Sequence, residues 1–298
     1  MTNNSVLVPL DGSAAADVSL EVADAILQSK SEGCLTILRA LETPRISAWL
    51  PAEMLSLYQR EKEIVSEFLE EKKQAWSGRG YDVRTVIGPG PGPVDAAVAE
   101  CSHGRARLVV MSSHGESGWM EFFLGSNTEK IMRLCPAHIF VVKQPTEDSQ
   151  PTPIKKILIP LDGSKRAEQA IPQALDISPN GQARIILVGV SVVFQGHAFE
   201  GDMKAVVRPD LERVEAYLDS QAEWLRNQGL EVDTVVRRGD AAGEVLELAK
   251  EENVDLILMT SQGRTGLARW LYGSVAERIV RTSPCSVLVL KDLDTAQD

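Results

Sequence analysis

Histidine and cysteine are scarce in this chain of 298 residues, with four of each, and aromatic residues make up only 5%. Cys34, Cys101, Cys135 and Cys285 form no Cys-x-x-Cys pair, so their spacing supports neither a zinc site nor a disulfide framework. They are expected as reduced, mostly buried thiols. No run approaches the roughly twenty apolar residues that a membrane helix needs. The stretch Met1 to Ser5 lacks the basic and apolar regions of a signal peptide. Together these absences lead to the expectation of a cytoplasmic protein. Positive charge is also in deficit, 31 Lys and Arg against 42 Asp and Glu, and the net charge of −11 disfavours nucleic acid and anionic lipid as partners. A local site for a phosphorylated small molecule stays open. What remains is a 44% hydrophobic and 24% charged chain, the composition of a globular protein long enough for two domains.

The order of apolar runs gives the organisation. Ser5 to Leu10 reads as a buried strand, broken by Asp11-Gly12-Ser13. Val18, Val22, Ala25 and Ile26 then recur at helical spacing. Leu35 to Ala40 is a second strand. A long amphipathic run follows, with Met54, Leu57, Tyr58, Val65, Phe68, Leu69 and Trp76 on one face and its aromatics expected in the core. Gly78 and Gly80 end it. Tyr81 to Ile87 is a third strand, Val94 to Cys101 a helix, Leu108 to Met111 a fourth strand and Ile139 to Val142 a fifth.

Gln144 to Pro153 is polar, holds three prolines and reads as a linker. Then the pattern restarts. Ile157 to Ser164 repeats Val6 to Ser13, sharing Pro-Leu-Asp-Gly-Ser outright. Ile185 to Val190, Val232 to Arg237, Leu256 to Met259 and Ser286 to Leu290 answer strands two to five, and Leu211, Val214, Leu218 and Leu225 answer the long helix. The chain is therefore read as two copies of one domain, residues 1–145 and 154–298. Strands alternating with helices predict an α/β fold, two tandem Rossmann-like domains, each an open five-stranded parallel sheet with helices on both faces. In the order 3-2-1-4-5 the chain reverses between strands one and four, where open sheets bind ligands.

Strand four of the second copy runs into Met259-Thr260-Ser261-Gln262-Gly263-Arg264-Thr265-Gly266, and Gly273-Ser274 follows. The first copy has Met111-Ser112-Ser113-His114-Gly115-Glu116-Ser117-Gly118, then Gly125-Ser126. Strand, glycine loop and helix start make a ready anion site. Ser274 is expected at the helix N-cap, its hydroxyl and the N–H groups of Ser274, Val275 and Ala276 facing phosphate. A capped helix with tight glycine turns explains the loop equally well, so on its own it leaves both readings open. It is neither a Gly-x-x-x-x-Gly-Lys-Ser/Thr loop nor a Gly-x-Gly-x-x-Gly fingerprint.

Pro-Leu-Asp after strand one, then Gly, nine residues and Gly-Ser after strand four, resembles the universal stress protein family. Members that bind ATP carry Gly-x-x-Gly, nine residues, Gly-Ser/Thr. Gly263 and Gly273-Ser274 fit the last two elements, as do Gly115 and Gly125-Ser126; the first glycine is Thr260 in one copy and Ser112 in the other. The resemblance implies ATP as ligand, leaves magnesium open as its companion, and carries a nucleotide site to Pro160, Leu161, Asp162, Val190, Met259, Thr260, Gly263, Arg264, Gly266, Gly273, Ser274, Val275 and Ala276. The counterparts in the first copy are Pro9, Leu10, Asp11, Ala40, Ser112, Gly115, Gly125, Ser126 and Asn127. Arg264 favours a triphosphate where Glu116 repels one, so the second copy is the better expected site. Asp162 is read as a contact to nucleoside or metal, against its plain role as a turn acid bonding its own backbone. The family also implies pairing of domains through their last strands, internally as a pseudo-dimer, and leaves a homodimer open.

His114 faces Gln262 in the other copy, which gives no support for an acid–base role. His103, His138 and His197 have no sequence partners. The Arg237-Arg238-Gly239-Asp240 run is expected to be a solvated loop, and Trp270 to Tyr272 and Phe122-Phe123 to pack a helix. No general base or nucleophile pair and no Ser-Gly-Gly-x-Asp-Ser loop is present. The expected function is an ATP-binding universal stress protein with a regulatory, stress-response role and weak ATPase activity at most. A slow ATP hydrolase and a nucleotide-independent interaction module are the alternatives.

Overall fold

In the computed structural model the described residues are 4–28, 30, 32–41, 52–88, 92–113, 124–143, 154–177, 183–191, 203–261 and 273–293. They fold as two compact units divided between Pro151 and Thr152. The predicted linker lies outside the described residues.

The first unit contains β1 (Ser5–Pro9), α1 (Ala14–Gln28), β2 (Cys34–Ala40), α2 (Ala52–Trp76), β3 (Asp82–Gly88), α3 (Pro93–Ser102), β4 (Leu108–Ser112), α4 (Ser126–Leu134) and β5 (His138–Val142). The second contains β6 (Lys156–Pro160), α5 (Lys165–Glu168), α6 (Ala170–Ile177), β7 (Arg184–Ser191), α7 (Met203–Asn227), β8 (Val232–Arg238), α8 (Ala241–Glu251), β9 (Leu256–Thr260), α9 (Ser274–Thr282) and β10 (Ser286–Leu290). Strand order is β3-β2-β1-β4-β5 in one and β8-β7-β6-β9-β10 in the other. The strand pairs within each unit are parallel, with Val6 opposite Leu35 and Leu108 in the first and Ile157 opposite Ile185 and Leu256 in the second. The α/β fold with the 3-2-1-4-5 order is as expected.

The topology fixes where helices go. Crossovers step outward one way to β3 and the other way to β5, so right-handed connections put α1 and α2 on one face and α3 and α4 on the other. The second unit does the same with α5, α6 and α7 against α8 and α9. Sheets covered on both faces need strands that are apolar throughout. Leu7, Ile37, Val109 and Ile139, with Ile157, Ile185, Ile257 and Leu288, are all fully buried. Each such side chain contributes about 1.5–3 kcal/mol relative to exposure.

Three expectations need correction. In α1 the buried stripe is Ala16, Leu20, Ala23 and Leu27, while Val18, Val22 and Ile26 are half-buried and Ala25 is exposed. The helix is right and its inward face is rotated onto Ala16, Leu20, Ala23 and Leu27. In α2, Val65 and Leu69 are buried, but Leu57 is 67% exposed and Tyr58, Phe68 and Trp76 are half-buried. The half-buried rings carry cations on their faces, Arg39 4.6 Å from the centre of Phe68 and Arg79 4.3 Å from that of Trp76. β8 runs on through Arg238, one residue past the expected Val232 to Arg237, and Arg237 pairs with Glu251 on α8 rather than standing in a solvated loop. The four cysteines form no disulfide; Cys101 and Cys135 are buried, Cys34 and Cys285 half-buried.

The first unit also buries two carboxylates. Glu100 on α3 takes Arg84 Nη2 at 2.7 Å and Arg105 Nη1 at 3.0 Å. Asp24 on α1 accepts the Tyr81 hydroxyl at 2.5 Å, Arg79 at 2.8 Å and Gln28 at 2.9 Å. Burial first, and then the hydrogen bond to Asp24, push the Tyr81 phenol well above its ordinary value. A raised folded-state pKa means that this contribution is complete below the unfolded value of about 10 and is lost as pH rises above it. Urea titrations at pH 8 and pH 11 are expected to show the parent losing more stability over that interval than Tyr81→Phe. Equal losses in both chains would refute the linkage.

Candidate functional site

In the second unit β6 ends at Pro160, and Leu161 donates its N–H to Val188 on β7 at 2.8 Å. Val190 stands two residues further along β7, beyond the last β6 rung. Its backbone is thus directed past the end of β6. On the other side, β9 ends at Thr260, and Ser261 is buried just after it. The reversal of strand order between β6 and β9 leaves a gap at the carboxyl ends of the strands, as this topology requires.

A cavity of about 350 Å³ occupies that gap. Pro160, Leu161, Asp162, Val190, Met259, Thr260, Gly273, Ser274, Val275 and Ala276 all line it. Those are the ten sequence-predicted residues of this copy that the structure describes, and they share one wall-to-wall space. Gly263, Arg264 and Gly266 lie outside the described residues. Ala241 and Val245 on α8 and Ile279 on α9 also line the cavity. Sequence reading missed these three, and also Ala167, Val188 and Ser261, which line the cavity too. Asp162, Thr260 and Ser261 at the strand ends and Ser274 at the start of α9 carry the polar side chains of the lining, and the other lining residues are apolar or glycine.

The α9 end differs from expectation in one detail. Gly273 is the N-cap residue, with extended backbone, and Ser274 is the first helical residue. The cap forms because the Gly273 C=O accepts Glu277 N–H at 3.0 Å while the Gly273 N–H donates to Ser261 C=O at 2.9 Å. Among the described residues no side chain caps α9. The N–H groups of Ser274, Val275 and Ala276 have no intrahelical acceptors, as in the first turn of any helix. They open toward the cavity with the partial positive charge of the helix start. Gly273 has φ −66°, and among the described residues a Cβ there would meet nothing closer than 3.8 Å, the Ser261 carbonyl oxygen. Among the described residues nothing in the fold requires glycine at this position.

Asp162 takes part in the turn role considered for it, its Oδ1 accepting Ser164 N–H at 2.9 Å, while it also lines the cavity. Ser164 Oγ in turn accepts Ala167 N–H at 3.1 Å and caps α5. Gly163, with φ +80°, makes that turn possible.

The first unit places Pro9, Asp11, Ala40 and Ser112 at the corresponding strand ends and Gly125, Ser126 and Asn127 at the start of α4; Gly115 and Glu116 lie outside the described residues. Leu10 is buried, and Asp11 Oδ1 accepts the Ser13 N–H at 2.9 Å and its hydroxyl at 2.6 Å. Gly125 again is the N-cap, its N–H on Ser113 C=O at 3.1 Å. The copies diverge at the third helical position. Thr128 stands where the second unit has Ala276, and its hydroxyl donates to Ser112 C=O at 3.3 Å. The bulkier, tethered side chain takes up space that Ala276 leaves open.

His103 is exposed and His138 half-buried. His114, His197, Phe122-Phe123 and Trp270 to Tyr272 lie outside the described residues. Among the described residues no group of three or more His, Cys, Asp or Glu is placed to hold a metal ion, and no helix is long and apolar enough to cross a membrane.

Comparison with known proteins agrees with this architecture. The profile described as Universal stress protein family matches residues 2–143 and again 153–291. A universal stress protein of Methanocaldococcus jannaschii is 34% identical over 139 residues, 46% of this chain and 82% of the relative. One from Bacillus subtilis is 26% identical over 148 residues, 46% of this chain and 98% of that protein. A universal stress protein structure from Archaeoglobus fulgidus superposes with a TM-score of 0.68 at 23% identity, over 98% of this chain and 99% of the other.

Proposed function

Because the chain belongs to the universal stress protein family, we propose that its second unit is a receptor for an adenine nucleotide, with binding rather than turnover as its task. The observation that carries this reading is the cavity at the β6/β9 reversal, with an uncapped helix start at one end and an apolar slot at the other. Phosphates are held by the Ser274 hydroxyl and the first N–H groups of α9. The base lies against Val190, Val188 and Val245, its edge within reach of the Val190 backbone. Asp162 faces the sugar. The proposed ligand is ATP, with any magnesium carried on its phosphates beside Asp162. The expected role is regulatory, in response to stress.

Thr128, and Glu116 in the first glycine loop, support a weaker or absent site in the first unit. Acid release and mass spectrometry on freshly purified protein are expected to yield adenine nucleotide at about one per chain. Calorimetry on Gly263→Ala/Gly273→Ala is expected to lose the tight site. Unchanged ATP binding by that variant overturns the assignment, and two equal ATP per chain overturns the asymmetry.

A further inference from the structure

The two helices that wall the cavity, α8 and α9, are tied together by a single carboxylate. Asp240 is the N-cap of α8, its Oδ2 accepting Gly243 N–H at 2.8 Å. The same oxygen takes Arg278 Nη1 from α9. The contact stands beside the cavity on both helices: Ala241 and Val245 follow Asp240 on α8, and Val275 and Ile279 flank Arg278 on α9, all four lining the space.

A third residue is fitted to this contact. Gly243 sits in the first turn of α8, where glycine costs a helix about 1 kcal/mol relative to alanine. A Cβ at that position would come within 2.9 Å of Asp240 Oδ2 and 3.8 Å of Arg278 Nη2. The missing side chain lets the carboxylate lie flat on the helix end and still meet the guanidinium. Aligning β4 with β9 pairs these residues with Gly92, Asp95 and Lys130 in the first unit. There the N-cap of α3 is Gly92, without a side-chain hydrogen bond. The three-residue arrangement is therefore particular to the second copy, while the helix starts themselves are common to both.

We propose that Asp240, Gly243 and Arg278 form a clamp that holds the α8–α9 wall closed on the bound nucleotide and so sets how slowly it leaves. This rests on the nucleotide reading of the cavity. All three are positioning residues that act through the wall. Both charged side chains are more than half exposed, 55% for Arg278 and 62% for Asp240. Their pairing therefore adds little to global stability and is open to screening by salt.

The test is stopped-flow displacement of a fluorescent ATP analogue by excess ATP from the full chain. Arg278→Gln is expected to release the analogue about fivefold faster than the parent, the upper range for an exposed pair. Gly243→Ala, whose Cβ would crowd Asp240 Oδ2, is expected to release it faster too. Raising salt should speed release from the parent toward the Arg278→Gln rate and change the variant less. A parent that binds the analogue while Arg278→Gln releases it at the parent rate overturns the clamp and leaves the site standing. A parent that binds no analogue overturns both.

Discussion

Ser274→Glu is expected to weaken nucleotide binding by the second unit about a hundredfold while leaving the unit folded. Ser274 is exposed and is the first residue of α9. A carboxylate in the first turn of a helix is favourable to the helix itself, by roughly 0.3–1 kcal/mol. The same carboxylate occupies the place proposed for phosphate. Two like charges about 5 Å apart at an effective dielectric near 20 repel by about 3 kcal/mol, and each 1.4 kcal/mol is about tenfold in affinity. Calorimetry with ATP reads the loss, and a melting temperature at or above the parent's shows that folding is intact. Ser126→Glu, at the equivalent place in the first unit, is expected to leave the tight site alone. Parent-like affinity in Ser274→Glu would remove α9 from the binding site.

A second large effect is expected at the buried carboxylate of the first unit. Arg84 donates Nη2 to Glu100 at 2.7 Å and Nε to the fully buried Thr36 hydroxyl at 2.7 Å. Glu100 is 8% exposed, whereas Arg105, its other partner, is 53% exposed. Arg84→Leu therefore strands a buried charge whose remaining partner is largely in water, at a cost of about 3 kcal/mol. The second unit carries Leu248 at the place of Glu100 and needs no such pair. Adding Glu100→Leu to Arg84→Leu removes the stranded charge and is expected to return stability to within about 1 kcal/mol of the parent. Denaturant titration that follows each unit separately tests this, since two units need not unfold as one. A single variant that loses less than 1 kcal/mol, or a double variant no better than the single, would contradict it.

The strand order and the cavity positions were legible because they depend on features that repeat. Pro-Leu-Asp-Gly-Ser recurs at the end of β1 and β6, and a Gly-Ser pair recurs at the start of α4 and α9. Any side chain tied to those points falls at the switch position once the topology is right. Helix faces were less legible. In α1 two stripes at helical spacing compete, Val18, Val22 and Ile26 against Ala16, Leu20, Ala23 and Leu27, and the sheet buries the second. In α2 the pattern promised a long buried face that the sheet cannot cover. A helix of 25 residues spans about 37 Å, against about 23 Å for a strand of 7 residues. Its first turns overhang, and Leu55 and Leu57 are exposed there. Contacts such as Asp240 with Arg278, 38 residues apart, leave no periodic trace and needed coordinates.

The uncapped start of α9 has a consequence for heat and denaturant. Helices ordinarily close their first turn with a side chain of their own, and among the described residues α9 has none that does so. Under the nucleotide reading the missing cap arrives with the ligand, so the nucleotide serves as one of the unit's folding elements. At a hundred times its dissociation constant a ligand adds about 2.7 kcal/mol to the state that binds it. The second unit would then gain resistance in step with bound nucleotide, and the first, whose α4 start has no side-chain cap either, would gain it only as far as it binds the same ligand. One half of the chain would report energy status through its own persistence.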